Sequence, residues 1–394
     1  MKVAIYSGNI PSTTFIENLI RNLSNSGFRI LLFGKKIRDV KYNENVEVHN
    51  TPNNSIIILF FILKESLKLF FKSPNKFSKL LKYISSSDTG LKSKLKELGM
   101  MLPIINNEPD IFHIQWAKTV QKNSYLFNLM KCRFALSLRG AHINYSPLND
   151  ESLAESYRKY FPKLDGFHAV SKAISIEAQK YGAAPEKIKV IYSSVQDELL
   201  QIKTESKINR SEVTNIISIG RYHWKKGYHY AFDAMKILIG KGFNFQYTIV
   251  AQGDVPEEIL YILSDKELKS RVVLKNGMAH DELMNELKKS DMLLLPSVEE
   301  GIANVVLESM AIGVPVISTD CGGMNEAVSD FENGMMAKVR DPNMLAQKII
   351  EYSELSENKK EQMKLIAKNT ISEKFTDKKQ IDGFVNFYNS LLYS

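Results

Sequence analysis

Residues 299–319 read EEGIANVVLESMAIGVPVIST and follow directly on DMLLLPSV at 291–298. The two pieces together spell strand, loop, helix, strand: DMLLLP, the loop SVEEG, a helix opening near Ile302 and Ala303, then VPVIST. Short continuous apolar runs suit parallel strands that are covered on both faces. Ligands of such sheets bind beyond the carboxyl ends of the strands, and SVEEG lies at that edge. Glu300 stands in the loop and Glu308 inside the helix. The helix start (Gly301, Ile302, Ala303, Asn304) offers unpaired N–H groups and a positive dipole end, which favour a phosphate. Glu308 can accept hydrogen bonds from a diol such as a ribose, and Glu300 from the hydroxyls of a sugar. An anion between two acids describes a nucleotide-sugar; the alternative is a pair of solvated glutamates.

The same alternation extends in both directions. VAIYS (3–7), RILLF (29–33), DIFHI (110–114), FALSL (134–138), FHAV (167–170) and KVIY (189–192) read as strands of a first half. NIISIG (215–220), YTIVAQG (247–253) and RVVLKNG (271–277) join DMLLLP and VPVIST in a second. Between the halves, QIKTESKINRSEVT is polar and without apolar periodicity. The expected class is α/β, with two facing Rossmann-like doubly wound domains. Its bounds are 1–200 for an N-terminal domain, 201–214 for the linker and 215–376 for a C-terminal domain. The final helix, 377–394, is expected to pack back on the first domain.

GRYHWKKG at 220–227 follows the strand NIISI and places Arg221, Lys225 and Lys226 in one loop before a helix. Arginine offers a planar fork for phosphate oxygens and lysine a point charge; a solvated basic turn is the plainer reading. With this loop the second half resembles the family-4 retaining glycosyltransferases, which have the GT-B architecture. The family's Glu, seven residues, Glu pattern is E-GIANVVL-E here, from Glu300 to Glu308. Its Arg…Lys-Gly loop is matched by Arg221 and Lys226-Gly227, and its Gly-Gly loop by the end of ESMAIGVPVISTDCGG. AVSKAISIEAQKYGAAPEKIKVIYSSVQ at 169–196 is similar to the segment closing the family's first domain. The resemblance covers about 165–345. The first 160 residues match by architecture, and SGNIPSTTF has only Gly8 where the family carries a glycine pair.

The resemblance implies sugar transfer from a UDP- or GDP-linked donor with retention of configuration and no metal. It also implies that 1–200 is the acceptor-binding domain and 215–376 the nucleotide-sugar-binding domain. Arg221 and Lys226 stabilise the leaving diphosphate, Glu300 positions the sugar and Glu308 the ribose. Gly8, Arg139 and Met278 are further donor contacts, Met278 in a base-contacting turn. His142 is a sugar or acceptor contact, or else a histidine satisfied within its loop. Sugar-nucleotide epimerase or hydrolase chemistry on the same fold, and a catalytically silent assembly partner, are the alternatives.

Composition narrows the classes further. Only Cys132 and Cys321 occur, which disfavours a disulfide framework and suits a reducing cytoplasm. No signal peptide is visible, and Asp-x-Asp, HExxH and GxGxxG are absent. A nucleic-acid role has only basic charge behind it. That charge is uneven: residues 51–100 hold nine lysines against Glu65, Asp88 and Glu97, six of the eight net positive charges. In SIIILFFILKESLKLFFKSPNKFSKLLKYI (55–84), Lys64, Lys68, Lys72, Lys76, Lys79 and Lys82 recur at helical spacing, with a new helix start expected at Pro74. The apolar run is short of the ~20 residues needed to span a bilayer. The stretch is either a basic amphipathic surface for an anionic membrane or an insertion packed on the first domain. The membrane reading implies a lipid-linked saccharide acceptor and assembly of a cell-surface polysaccharide or glycoconjugate.

Overall fold

The computed structural model describes residues 1–52, 54–86, 90–202 and 212–393. Of the polar stretch 201–214, residues 203–211 lie outside the described residues. The chain divides into two compact units. Unit 1 comprises Met1–Val170, Ile174–Ile191 and Ile381–Ser394, and unit 2 comprises Ser171–Ala173 and Tyr192–Gln380.

Unit 1 is built on seven parallel strands: β1 (Lys2–Ile10), β2 (Arg29–Lys36), β3 (Val46–Asn50), β4 (Ile111–Ile114), β5 (Arg133–Leu138), β6 (Gly166–Ala169) and β7 (Ile188–Val190). They lie in the order β3-β2-β1-β4-β5-β6-β7. The runs IFHI and GFHA are buried along their whole length because helices cover both faces. One face packs Phe112, Leu136, Tyr157 and Phe161. The other packs Ile5 and Leu32 with Phe384, Phe387, Tyr388 and Leu391 of the helix Asp377–Tyr393. Those four sit at helical spacing, so one stripe of the helix is apolar. Gly166 lets it approach, since a Cβ there would lie 2.6 Å from Leu391 Cδ2.

Three polar side chains interrupt this interior. His113 on β4, Ser137 on β5 and His168 on β6 are all buried. They form a chain from Tyr388 Oη to His113 Nδ1 (2.8 Å), His113 Nε2 to Ser137 Oγ (2.9 Å), Ser137 Oγ to His168 Nδ1 (2.9 Å) and His168 Nε2 to the Ile191 carbonyl (2.9 Å).

Unit 2 has six parallel strands: β8 (Thr214–Ile219), β9 (Phe245–Ala251), β10 (Val272–Asn276), β11 (Met292–Leu295), β12 (Val316–Thr319) and β13 (Met335–Ala337). Their order is β10-β9-β8-β11-β12-β13. The winding reverses between β8 and β11, which is where a doubly wound sheet opens a crevice at its carboxyl edge.

Some expectations change. β3 and β13 do not stand out as apolar runs: VEVHN is an edge strand that is half exposed, and β13 is three residues long. Gly8 is not in a loop after the first strand. β1 continues to Ile10 through a register shift at Gly8, whose φ of +82° a glycine accepts readily. Residues 55–84 form two helices, Ser55–Lys72 and Pro74–Ser86, so the six lysines are not one stripe. The first helix starts where Asn54 Oδ1 accepts from the Ile56 and Ile57 amides. Among the described residues no helix is long and apolar enough to cross a membrane.

Candidate active site

The loops after β8, β11 and β12 interlock at the carboxyl edge of unit 2. Trp224–Lys226 form one tight turn ended by Gly227 at φ +66°. A Cβ on Gly227 would lie 2.0 Å from the Pro296 carbonyl oxygen, so only glycine lets the two loops meet. The Val298 amide donates to the Lys225 carbonyl at 2.7 Å. Gly322 is as constrained, at φ +55° with a Cβ position 1.8 Å from the Glu300 carbonyl oxygen, while the Gly323 amide donates to the Gly301 carbonyl at 2.8 Å.

This packing aims two lysines at Glu300. Lys226 Nζ lies 2.7 Å from Oε1 and Lys225 Nζ 3.1 Å from Oε2, with all three side chains largely out of water. Burial opposes ionisation of Glu300, yet the two ammonium groups, Lys226 ahead of Lys225, outweigh it and hold the carboxyl below its usual range. Arg221 is not part of this cluster. It is exposed at the start of the same loop, and the two cations that meet Glu300 are Lys225 and Lys226.

The helix after the loop, Asn304–Ile312, starts within the expected stretch, with Ala303 as its N-cap. The Ala303 amide is already engaged by Met324 Sδ at 3.4 Å, so it is not free for a phosphate. Ala303 supplies no side-chain acceptor, so the Asn304 and Val305 amides have no side-chain cap, while the Val306 amide bonds the Ala303 carbonyl at 3.0 Å. Gly301 and Ala303 are buried and Ile302 is half-buried, while Asn304 is exposed. Glu308 lies in the following turn and meets His280 Nε2 at 3.2 Å. That hydrogen bond raises the His280 pKa against the effect of burial. His280 opens the helix after the turn holding Met278, which is half-buried. The sequence reading missed His280, although its place at a helix start two residues after Met278 marks it.

Arg139, His142 and Gly8 belong to unit 1 and are described within it. Arg139 directly follows β5 and lies 4.3 Å from the Phe15 ring centroid, its Nη2 donating to Gln115 Oε1 at 3.1 Å. His142 sits in the short helix Gly140–Asn144 with its ring 5.3 Å from that of Trp116. Burial, helped by Lys118 and Arg139, pulls His142 down to about 4, so it is neutral near pH 7. Gln115 and Trp116, which directly follow the strand DIFHI, were not singled out from sequence. Among the described residues no three His, Cys, Asp or Glu side chains are grouped to hold a metal.

Residues 201–370 match the family model of glycosyl transferases group 1. The chain is similar to the amylovoran biosynthesis glycosyltransferase AmsK of Erwinia amylovora, 26% identical over 269 residues, and spans 65% of AmsK's own length with 65% of its own. It is also similar to WcaL of Escherichia coli (strain K12), named as a colanic acid biosynthesis glycosyltransferase. There the identity is 25% over 376 residues, 90% of this chain and 91% of WcaL. Among solved structures, Anabaena HepE in complex with UDP and glucose superposes with a TM-score of 0.70 at 16% identity, covering 99% of this chain and all of HepE's. These neighbours share the GT-B fold.

Proposed function

We propose, on the premise that this chain is a glycosyltransferase of group 1 by family, that it moves a hexose from a nucleotide-sugar to a saccharide or lipid-linked acceptor in cell-surface polysaccharide or glycoconjugate assembly. The observation that carries the reading is the Glu300–Lys225–Lys226 cluster where the unit 2 sheet reverses, with Glu308 a turn further on. Arg221, Lys225, Lys226 and the first-turn amides at Asn304 neutralise the charge that grows on the leaving diphosphate. Glu300 accepts from sugar hydroxyls, and Glu308 from the ribose in exchange for part of its bond to His280. The proton of the acceptor hydroxyl passes to the departing phosphate oxygen, so no separate base is required. Retention of configuration comes with the family resemblance. Gly8 and His142 serve unit 1, read here as the acceptor half.

UDP is the first nucleotide to test, since the HepE structure holds it in complex. Calorimetric titration of UDP and GDP against the full chain is expected to show binding of one of them. Glu308→Gln is expected to weaken it by about 1–3 kcal/mol, the cost of leaving a ribose hydroxyl unpaired. Binding of neither nucleotide favours a silent assembly partner. A donor sugar converted without transfer favours the epimerase or hydrolase.

The lipid-linked acceptor has its own support in unit 1. On the helix Ser55–Lys72, Ile62 and Leu69 are buried, but Ile56, Phe60, Leu63, Leu67 and Phe71 form an exposed stripe, with Phe60 70% and Phe71 79% exposed. Lys64 and Lys68 flank it, both exposed. A second copy paired about a two-fold axis would bring such lysines towards one another, whereas the phosphates of an anionic bilayer suit both the charge and the apolar edge. The chain is expected to sediment with phosphatidylglycerol-containing vesicles and not with phosphatidylcholine alone. Lys64→Glu with Lys68→Glu should lower partition several-fold, at about 1 kcal/mol per lysine. Equal partition of parent and variant, or concentration-dependent dimerisation through this face, would overturn the membrane assignment.

A further inference from the structure

Arg139 carries a charge that the Phe15 ring and Gln115 Oε1 meet only in part, with no carboxylate beside it among the described residues of unit 1. Its Nε is buried without an acceptor, and no carboxylate pairs with the guanidinium among the described residues. Burial alone pulls its pKa down to about 9, the response of a cation lacking a counter-ion. The groups beside it repeat the pattern. Gln115 is fully buried, spends Oε1 on Arg139 and leaves Nε2 unpartnered. His142 Nδ1 is buried and unpartnered, and Lys118 acts on the same ring as a second cation. Buried polar atoms almost always find partners. Three unmet ones, Arg139 Nε, Gln115 Nε2 and His142 Nδ1, stand together with a fixed positive charge at the carboxyl edge of β4 and β5, where doubly wound sheets bind ligands.

We propose that Arg139, Gln115 and His142 form a subsite for an anionic group, phosphoryl or carboxylate, carried by the sugar acceptor. The proposal rests on reading unit 1 as the acceptor half. It moves Arg139 from the donor to the acceptor, because the donor diphosphate has its own cations in Lys225 and Lys226. An oxygen of the anion would take the Arg139 Nε–H, and a second the Gln115 Nε2–H. Retaining an unpaired charge in the absence of ligand exchanges stability for binding.

The test uses the full chain with inorganic phosphate as the probe and acetate as the carboxylate arm, read at the His142 ring by nitrogen-15 NMR. Phosphate or acetate is expected to move the His142 signals saturably, and Arg139→Gln to weaken that response at least tenfold. UDP affinity should stay within about twofold of the parent, as a factor of two is only ~0.4 kcal/mol. Arg139→Met is expected to melt no lower than the parent without anion, and to lose the parent's rise in Tm with phosphate. An equal His142 response in parent and Arg139→Gln overturns the subsite. So does a parallel loss of UDP affinity, which would return Arg139 to the donor. A fall in Tm for Arg139→Met without anion would make Arg139 a packing residue. If UDP fails to bind the parent while phosphate acts through Arg139, the transferase reading fails and the anion site stands.

Discussion

Lys226→Ala is expected to lower kcat by about 10²–10³-fold, the loss typical of removing one fixed donor from a developing negative charge. The magnitude follows from preorganisation. Lys226 Nζ is held 2.7 Å from Glu300 Oε1 with its side chain 14% exposed, so it meets the leaving diphosphate with little rearrangement. A free surface lysine would be well solvated and stabilise that charge far less. The variant has a second consequence. With Lys225 as its sole counter-ion, Glu300 is held down less against the effect of burial, and its carboxyl rises. Activity of Lys226→Ala should therefore fall as pH falls, in a range where the parent is still flat. Lys226→Arg keeps the charge and should retain more of the rate. UDP release from the donor identified by titration measures all three proteins. Parent rates should also survive EDTA, since lysines supply the positive charge; loss restored by a divalent metal would refute that. Turnover of Lys226→Ala within a few-fold of the parent would leave the lysine as a counter-ion for Glu300 and nothing more.

Much of this site is legible in the chain because Gly and Pro mark where strands give way to loops. DMLLLPSVEEG shows a strand ending at Pro296, and the carboxyl-edge rule then places Glu300 without further information. Direction is what the sequence does not carry. Arg221 and Lys225 lie in one loop, and which of them faces Glu300 depends on the tight turn Trp224–Lys226 and on Gly227 packing against Pro296. The pairing of His280 with Glu308 joins residues 28 apart through two different helices, which local spacing does not reveal. The engagement of the Ala303 amide by Met324, from the loop after β12, is another contact that local sequence does not show. Edge strands were missed for a related reason. A half-exposed strand such as VEVHN lacks the apolar run by which central strands are recognised. DIFHI and FHAV displayed their histidines openly, but an apolar strand does not say that its one polar side chain meets another across the sheet.

Those histidines give the second large expectation: unit 1 should lose stability steeply in acid. The hydrogen-bond chain has one fixed end. The Ile191 carbonyl can only accept, so His168 donates through Nε2 and its Nδ1 accepts from the Ser137 hydroxyl. Ser137 then accepts from His113 Nε2–H, and His113 Nδ1 accepts from Tyr388. Both rings are thus neutral, each with one nitrogen donating and one accepting, and a further proton on either would break a bond. Burial, then the charge of Arg139, pulls His168 down to about 3, and burial and His168 pull His113 well below the ordinary range. An unfolded histidine titrates near ~6.5, so between about 6.5 and 3 the unfolded chain binds a proton that folded His168 refuses. Stability from this residue is complete above ~6.5 and declines as pH falls, by about 1.4 kcal/mol per pH unit and about 3 kcal/mol by pH 4. His168→Asn can still donate to Ile191 and accept from Ser137 but does not titrate. Denaturant midpoints of parent and variant across this range should converge as pH falls, because the variant lacks one proton's worth of slope. Parallel curves would mean that His168 takes up its proton in the folded chain as readily as in the unfolded one. An anion held at Arg139 should also weaken the second of the two causes, so phosphate is expected to raise the folded His168 pKa and flatten the parent's acid slope.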